Sequence, residues 1–290
     1  MSNSVKQQFL YYAQLARWHQ PTGIWLVLLP CWWGLFLSRP PLFSLKYILL
    51  FLSGAVVMRG AGCTYNDMVD RNLDKHVTRT ASRPLAAGHL NFYQSLIFLS
   101  LQLLCGLIIL LQFPIYTIKW GLASLFLVFA YPWMKRITYW PQAFLGLTFN
   151  WGIFLGWSLY QPFFKLEALL LYLAGLCWTL GYDTIYAHQD RQDDLAIGIK
   201  SSALALGNRT QQFLAFNYMI LISLLIAVGW LSQLAFLYYI SLIFVTLHLT
   251  WQVLTLDIHS PQNCHQKFKT NVWTGLLILG CFIASWLQQI

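Results

Sequence analysis

Charge is what this sequence has least of. Of its 290 residues only 9% are Asp, Glu, Lys or Arg, against about 25% in a soluble globular domain, and so few cannot clothe a water-facing surface. Acids are scarcer still: nine stand beside eighteen Lys and Arg. Cys31, Cys63, Cys105, Cys177, Cys264 and Cys281 are scattered, with no Cys-x-x-Cys pair, which favours packing over metal or disulfide use. The N-terminal MSNSVKQQFLYYAQLARWHQ lacks the grammar of a cleaved signal and the Arg- and Ser-rich character of a transit peptide. The first spanning segment is therefore expected to serve as its own insertion signal, and a bacterial inner membrane is favoured over a mitochondrial one. No linker or composition shift marks a second domain, so one domain over 1–290 is expected.

What is abundant is apolar surface. The chain is 58% hydrophobic, with 14 Trp, 20 Phe and 15 Tyr, and apolar stretches near the roughly 20 residues that cross a bilayer as a helix recur throughout. The reading is an all-α integral membrane protein with nine candidate spans: 22–38, 46–64, 91–112, 114–132, 141–160, 165–184, 212–231, 234–255 and 272–288. Gln112 to Pro114 and Leu231 to Gln233 are so short that the helices they join should form tight antiparallel hairpins.

The net charge of +9 follows the membrane and argues against nucleic acid as a partner. With the N-terminus cytoplasmic, fourteen basic residues fall on inner segments; only Arg39, Lys46, Lys119 and Lys165 fall on outer ones. That asymmetry obeys the positive-inside bias and sets the orientation. The loops after the second and sixth spans are then cytoplasmic.

Seven of the nine carboxylates gather at those two places, Asp67, Asp70 and Asp74 in the first, Asp183, Asp190, Asp193 and Asp194 in the second. If the helices continue through them, the 3.6-residue period puts Asp67, Asp70 and Asp74 on one face with Asn66 at its edge, and Asp183, Asp190 and Asp194 on another. Like charges so spaced repel. A hard divalent cation answers that, because Mg²⁺ takes oxygen ligands and is usually held by one or two carboxylates plus substrate phosphates. The plainer alternative is salt bridging with Arg71, Lys75 and Arg191. Basic residues stand near the acids: Arg79, Arg83, Lys135, Arg136 and Lys200. Acids for metal and bases for phosphate oxygens together suit a diphosphate, whose departure needs its growing charge neutralised.

The motifs Asn66-Asp67-x-x-Asp70-x-x-x-Asp74, Arg79-Thr80-x-x-Arg83-Pro84-Leu85 and Tyr182-Asp183-x-x-Tyr186-Ala187-x-x-Asp190-x-x-Asp193-Asp194, with Gly198-Ile199-Lys200-Ser201, resemble those of the UbiA superfamily of intramembrane prenyltransferases. Within it the second motif looks like the branch that prenylates 4-hydroxybenzoate in ubiquinone biosynthesis. Arg17-x-x-x-Pro21-x-Gly23, Tyr131-Pro132 and Asn271 to Gly275 extend the likeness; His19-Gln20 departs from the family's usual acidic-basic pair. The resemblance implies nine helices around a central cavity with cytoplasmic-side loops. It implies Asn66, Asp67, Asp70, Asp74, Asp190 and Asp194 as ligands of Mg²⁺, with Asp70, Asp74, Asp190 and Asp194 catalytic. Asp183, Arg79, Arg83, Lys135 and Lys200 would meet the substrates, and Arg136 or Arg17 the acceptor's carboxylate. The substrates implied are a polyprenyl diphosphate and 4-hydroxybenzoate, with no obligate protein partner. Homogentisate or a dihydroxynaphthoate is the alternative acceptor. A cation or metabolite transporter is the reading from a different class, since intramembrane acids also mark ion pathways.

Overall fold

The computed structural model describes residues 3–289, and every regular element among them is helical. In chain order these are α1 (Asn3–Leu15), α2 (Thr22–Leu37), α3 (Leu45–Asp74), α4 (Phe92–Leu110), α5 (Ile115–Ala130), α6 (Met134–Ile137), α7 (Pro141–Asn150), α8 (Gly152–Trp157), α9 (Leu166–Ala187), α10 (Arg191–Ile197), α11 (Ser202–Leu206), α12 (Thr210–Leu231), α13 (Phe236–Leu254) and α14 (Pro261–Gln289). Large apolar side chains on the outside, such as Phe126, Trp230 and Leu254, are more than 70% exposed. A soluble surface does not carry apolar residues on that scale; here they face lipid, as a multi-pass membrane protein requires.

Among the described residues seven stretches are long and apolar enough to cross a bilayer: Leu45–Asp74, Phe92–Leu110, Ile115–Ile137, Leu166–Ile197, Ser202–Leu231, Phe236–Leu254 and Pro261–Gln289. The two other expected spans are shorter. The first is α2, sixteen residues with Pro30 inside it. The fifth is broken into α7 and α8 at Trp151, where the buried Asn150 turns its Nδ2 to Gly146 O and Thr179 Oγ1, each at 2.8 Å. The broken helix lies against α2 so closely that a Cβ on Gly34 would overlap the Ile153 carbonyl, and one on Gly156 the Cys31 carbonyl. Small residues at such crossings let backbones meet where lipid supplies no hydrophobic drive between helices.

Both expected hairpins are present, α4 to α5 and α12 to α13, the second turning through Gln233 at φ 49. A capping box starts α4: Asn91 Oδ1 accepts from Gln94 N–H at 2.8 Å and Gln94 Oε1 from Asn91 N–H at 2.9 Å, satisfying donors the first turn leaves free. The core lies among α2, α8, α9, α12, α13 and α14, with Trp33, Trp178, Tyr182, Tyr238 and Phe282 fully buried. Its two fully buried indoles are paired: Trp33 Nε1–H donates to Gly275 O and Trp178 Nε1–H to Asn271 Oδ1.

Two features of length position the functional residues. Helix α3 has thirty residues, about 45 Å at 1.5 Å per residue, so it outruns a hydrocarbon core of about 30 Å and carries its acids beyond it. Helix α14 begins eleven residues before the expected span, which brings His265, Phe268 and Lys269 to the same end of the bundle.

Candidate active site

The first acid cluster sits on a continuous helix, as its spacing predicts. Asp67, Asp70 and Asp74 occupy the last three turns of α3 and are all buried. The chain after α3 curls back over them, fixed by Thr80 Oγ1–H donating to Asp74 O at 2.9 Å. Arg83 on that return bridges two turns of α3, its Nη1 lying 3.1 Å from Asp67 Oδ1 and 2.8 Å from Asp74 Oδ2. Arg17, just past α1 in a left-handed conformation at φ 59, reaches both Asp67 oxygens at 2.8 and 2.9 Å. Asp70 receives Lys135 Nζ on Oδ2 at 2.5 Å and Arg136 Nη2 on Oδ1 at 3.2 Å.

The second cluster departs from its predicted single face. The α ladder of α9 stops at Ala187, and His188–Asp190 form a 3₁₀ turn before α10 resumes at Arg191. A 3₁₀ turn advances each side chain by about 120° rather than about 100°, so Asp190 and Asp194 rotate out of line with Asp183. They nevertheless line one cavity with it. Gly198, at φ 73, ends α10, and the Lys200 N–H then donates to Lys135 O at 3.1 Å, tying the second motif to α6.

Arg79 spans the clusters. Its Nε and Nη2 hold both oxygens of Asp190, and its guanidinium lies 5.1 Å from the Tyr186 ring centroid. Burial would lower its pKa, but the bonds to Asp190 outweigh that and hold it above the ordinary arginine value. Thr78 N–H donates to Asp193 Oδ2 at 2.8 Å beside it. All the acid–base ion pairs among the described residues thus join one of the two clusters to Arg17, Arg79, Arg83, Lys135 or Arg136. Arg71, expected as a salt-bridge partner on the plainer reading, instead stacks on Phe92.

These groups surround a cavity of ≈ 970 Å³. Asn66, Asp67, Asp74, Asp183, Asp190, Asp194, Arg17, Arg79, Arg83, Lys135 and Lys200 line it; Asp70 and Arg136 stand behind Lys135, outside the lining. The cavity's other arm is apolar, walled by Phe51 and Met58 of α3, Leu103 and Leu107 of α4, and Leu122 and Leu125 of α5. Among the described residues no three His, Cys, Asp or Glu side chains are gathered closely enough to hold a metal by themselves.

An arginine of the lining was missed in the sequence. Arg59, on α3 two turns before Asn66, takes part in none of the ion pairs; its Nε is closed off and has no hydrogen-bond partner. Its guanidinium lies 5.3 Å from the Phe149 ring centroid, and a Cβ on Gly23 would press on it at 2.5 Å, so a glycine makes its room. The available signal was a lone arginine inside an apolar span.

This joining of acids and bases to an apolar arm fits what a comparison of the sequence reveals. A model of the UbiA prenyltransferase family matches residues 27–286. The chain belongs to the UbiA prenyltransferase family. It is 48% identical over 270 residues to a mitochondrial 4-hydroxybenzoate polyprenyltransferase of Arabidopsis thaliana, which covers 92% of this chain and 66% of that relative. An apo UbiA homolog from Aeropyrum pernix K1 shares the fold at a TM-score of 0.77 and 22% identity, with 92% of this chain and 98% of that one covered. A UbiA homolog from Archaeoglobus fulgidus bound to GPP and Mg²⁺ does so at 0.70 and 16%, with 95% and 99% covered.

Proposed function

We propose that this UbiA family member is a magnesium-dependent prenyltransferase that moves a polyprenyl group from its diphosphate to the ring carbon of 4-hydroxybenzoate beside the hydroxyl-bearing carbon, in ubiquinone biosynthesis. The observation that carries it is one cavity with acids and bases at one end and an apolar arm at the other. A prenyl diphosphate has those same two ends. The 48%-identical relative bears the name of that activity.

The donor set fits magnesium, since the candidate ligands Asn66, Asp67, Asp74, Asp190 and Asp194 offer hard oxygens from the cavity wall, and Asp70 offers another from beneath Lys135. When bound, magnesium supplies neutralisation of the charge that grows on the departing diphosphate. Arg79, Arg83, Lys135 and Lys200 bind the diphosphate oxygens and support the same charge. As the allylic C–O bond breaks, the aromatic faces of Tyr131, Tyr182, Tyr186 and Phe268 shield the carbocation. Asp183 lies on the same wall as Tyr182 and adds negative charge there. The apolar arm holds the isoprenoid tail and keeps water from the cation.

Acceptor binding falls to Arg59 in place of Arg17 and Arg136, whose guanidinium groups are engaged by Asp67 and Asp70. The ring carbon attacks the cation, a C–C bond forms, and the ring proton leaves. Asp194, which lines the cavity outside every ion pair, takes that proton on a carboxylate oxygen.

The helices around this cavity make one transmembrane domain, with α2 and the α7–α8 pair completing nine crossings. A bacterial inner membrane finds no support in a relative named mitochondrial. The charge asymmetry still assigns the acid-bearing mouth to the inner side of the membrane that holds the protein. The test is product formation by purified protein with Mg²⁺, a prenyl diphosphate and 4-hydroxybenzoate; prenylated acid is expected, and no product with any aromatic acceptor would refute the reading. Homogentisate or a dihydroxynaphthoate in the same assay separates the family's branches.

A further inference from the structure

The oxygens assigned to magnesium and the nitrogens assigned to diphosphate are bonded to each other. Lys135 lies on Asp70, Arg79 on Asp190, and Arg83 on Asp67 and Asp74. Around the cavity stand six carboxylates, Asp67, Asp70, Asp74, Asp183, Asp190 and Asp194, and eight cations, Arg17, Arg59, Arg79, Arg83, Lys135, Arg136, Lys200 and Lys269. The cations thus outnumber the carboxylates by only two, and four of the six carboxylates are paired with bases.

Either ligand alone disturbs that balance. A divalent cation that captured Asp70 would leave the Lys135 ammonium without its partner beside a buried carboxylate now serving the metal; a diphosphate that captured Lys135 and Arg79 would leave Asp190 bare and Asp70 with Arg136 alone. Breaking a buried pair by removing one partner is costly because it strands the other charge; that cost is greatest at the wholly buried Asp70 and smaller at the more exposed Arg79–Asp190 pair. When both ligands arrive, each stranded group has a new partner. The carboxylates turn to the metal and the bases to the phosphate oxygens, at little net cost in charge.

We propose that the ion pairs Lys135–Asp70 and Arg79–Asp190 are placeholders, which make binding of magnesium and of the prenyl diphosphate strongly and mutually dependent. This rests on the reading of the cavity as a magnesium diphosphate site. Two consequences separate it from a role for these bases in phosphate binding alone. Metal binds weakly to the free protein and much more tightly with diphosphate present, and the enhancement is reciprocal, as linkage demands. Removing a placeholder base frees a carboxylate, so the variant binds metal alone better than the wild type while losing much of the enhancement.

The experiment is Mn²⁺ binding to the detergent-solubilised full chain, followed by electron paramagnetic resonance, with and without a prenyl thiolodiphosphate whose C–S bond is not cleaved. Expected for the wild type is at least a tenfold gain in Mn²⁺ affinity on adding the analogue, and an equal gain for the analogue on adding Mn²⁺. For Lys135→Gln, and independently for Arg79→Gln, Mn²⁺ affinity without the analogue should rise severalfold and the gain shrink. Equal wild-type affinity with and without the analogue overturns the placeholder role and leaves the site reading standing, as does weaker Mn²⁺ binding by both folded variants. No Mn²⁺ binding under either condition overturns the site reading and the placeholders with it.

Discussion

Arg79 and Asp190, 111 residues apart in the chain, are joined through two guanidinium nitrogens and both carboxylate oxygens, Nε at 2.8 and 3.1 Å and Nη2 at 2.5 Å. The pair ties the loop after α3 to the break after α9. Lysine keeps the charge but not the fork geometry. Arg79→Lys should therefore lower kcat/KM for the prenyl diphosphate by about tenfold to a hundredfold, or about 1.4 to 2.7 kcal/mol of barrier. With Arg79's side chain 38% exposed, the pair contributes under about 1 kcal/mol to stability, so the thermal midpoint in detergent should barely move. Initial rates over a range of prenyl diphosphate concentrations check the first expectation and a melt the second.

Arg59 makes a cleaner probe of the acceptor because it takes part in no ion pair among the described residues. Loss of one partner from a buried charge pair typically costs about 2 to 5 kcal/mol. Arg59→Met should raise KM for 4-hydroxybenzoate about thirtyfold or more, leave that for the prenyl diphosphate within about twofold, and spare turnover of phenols that lack a carboxylate. Equal loss with both kinds of acceptor would contradict carboxylate recognition.

Much of this was legible in the sequence where local period and composition decide the outcome. The α3 acids kept their face because nothing in Tyr65 to Asp74 interrupts a helix, and the hairpins followed from linkers too short for anything else. The break at His188–Asp190 left no such trace: no proline or glycine marks it, and residues from distant loops, Thr78 and Arg79, bond the acids there. The same holds for the bases. Proximity in sequence suggested Arg71 and Arg191 as partners of the acids, whereas the fold brings Arg17 to Asp67 and Lys135 to Asp70. The split of the fifth span turns on the buried Asn150 meeting Thr179, a contact between helices that hydropathy cannot register.

Asp70 distinguishes charge from shape. It is wholly buried beneath Lys135 and Arg136, so alanine there would strand two cations and confound loss of function with loss of structure. Asparagine keeps the volume and a hydrogen-bonding oxygen but not the charge. Asp70→Asn should remain in the membrane and monodisperse in detergent while turnover falls below about a tenth, a barrier rise above about 1.4 kcal/mol. Retention of more activity than that would contradict metal ligation by Asp70.

The α2–α8 crossing offers a test of the scaffold apart from the chemistry. A Cβ on Gly156 would overlap the Cys31 carbonyl and sit 2.5 Å from Leu35 N and 3.0 Å from Gly34 C. These are backbone atoms that no rotamer can move, so the helices themselves must separate. Overpacking typically costs about 1 to 3 kcal/mol and more where nothing can yield, so Gly156→Ala should lose about 3 kcal/mol or more and show a lowered melting midpoint in detergent. Gly280 has nothing within 4 Å of the same added atom. Replacing a helical glycine by alanine where there is room favours the helix by roughly 0.5 to 1 kcal/mol, so Gly280→Ala should match or slightly exceed the wild type. Opposite signs for one methyl group at two glycines are expected if the close α2–α8 approach, rather than glycine's helix propensity, makes Gly156 necessary; equal effects would refute it.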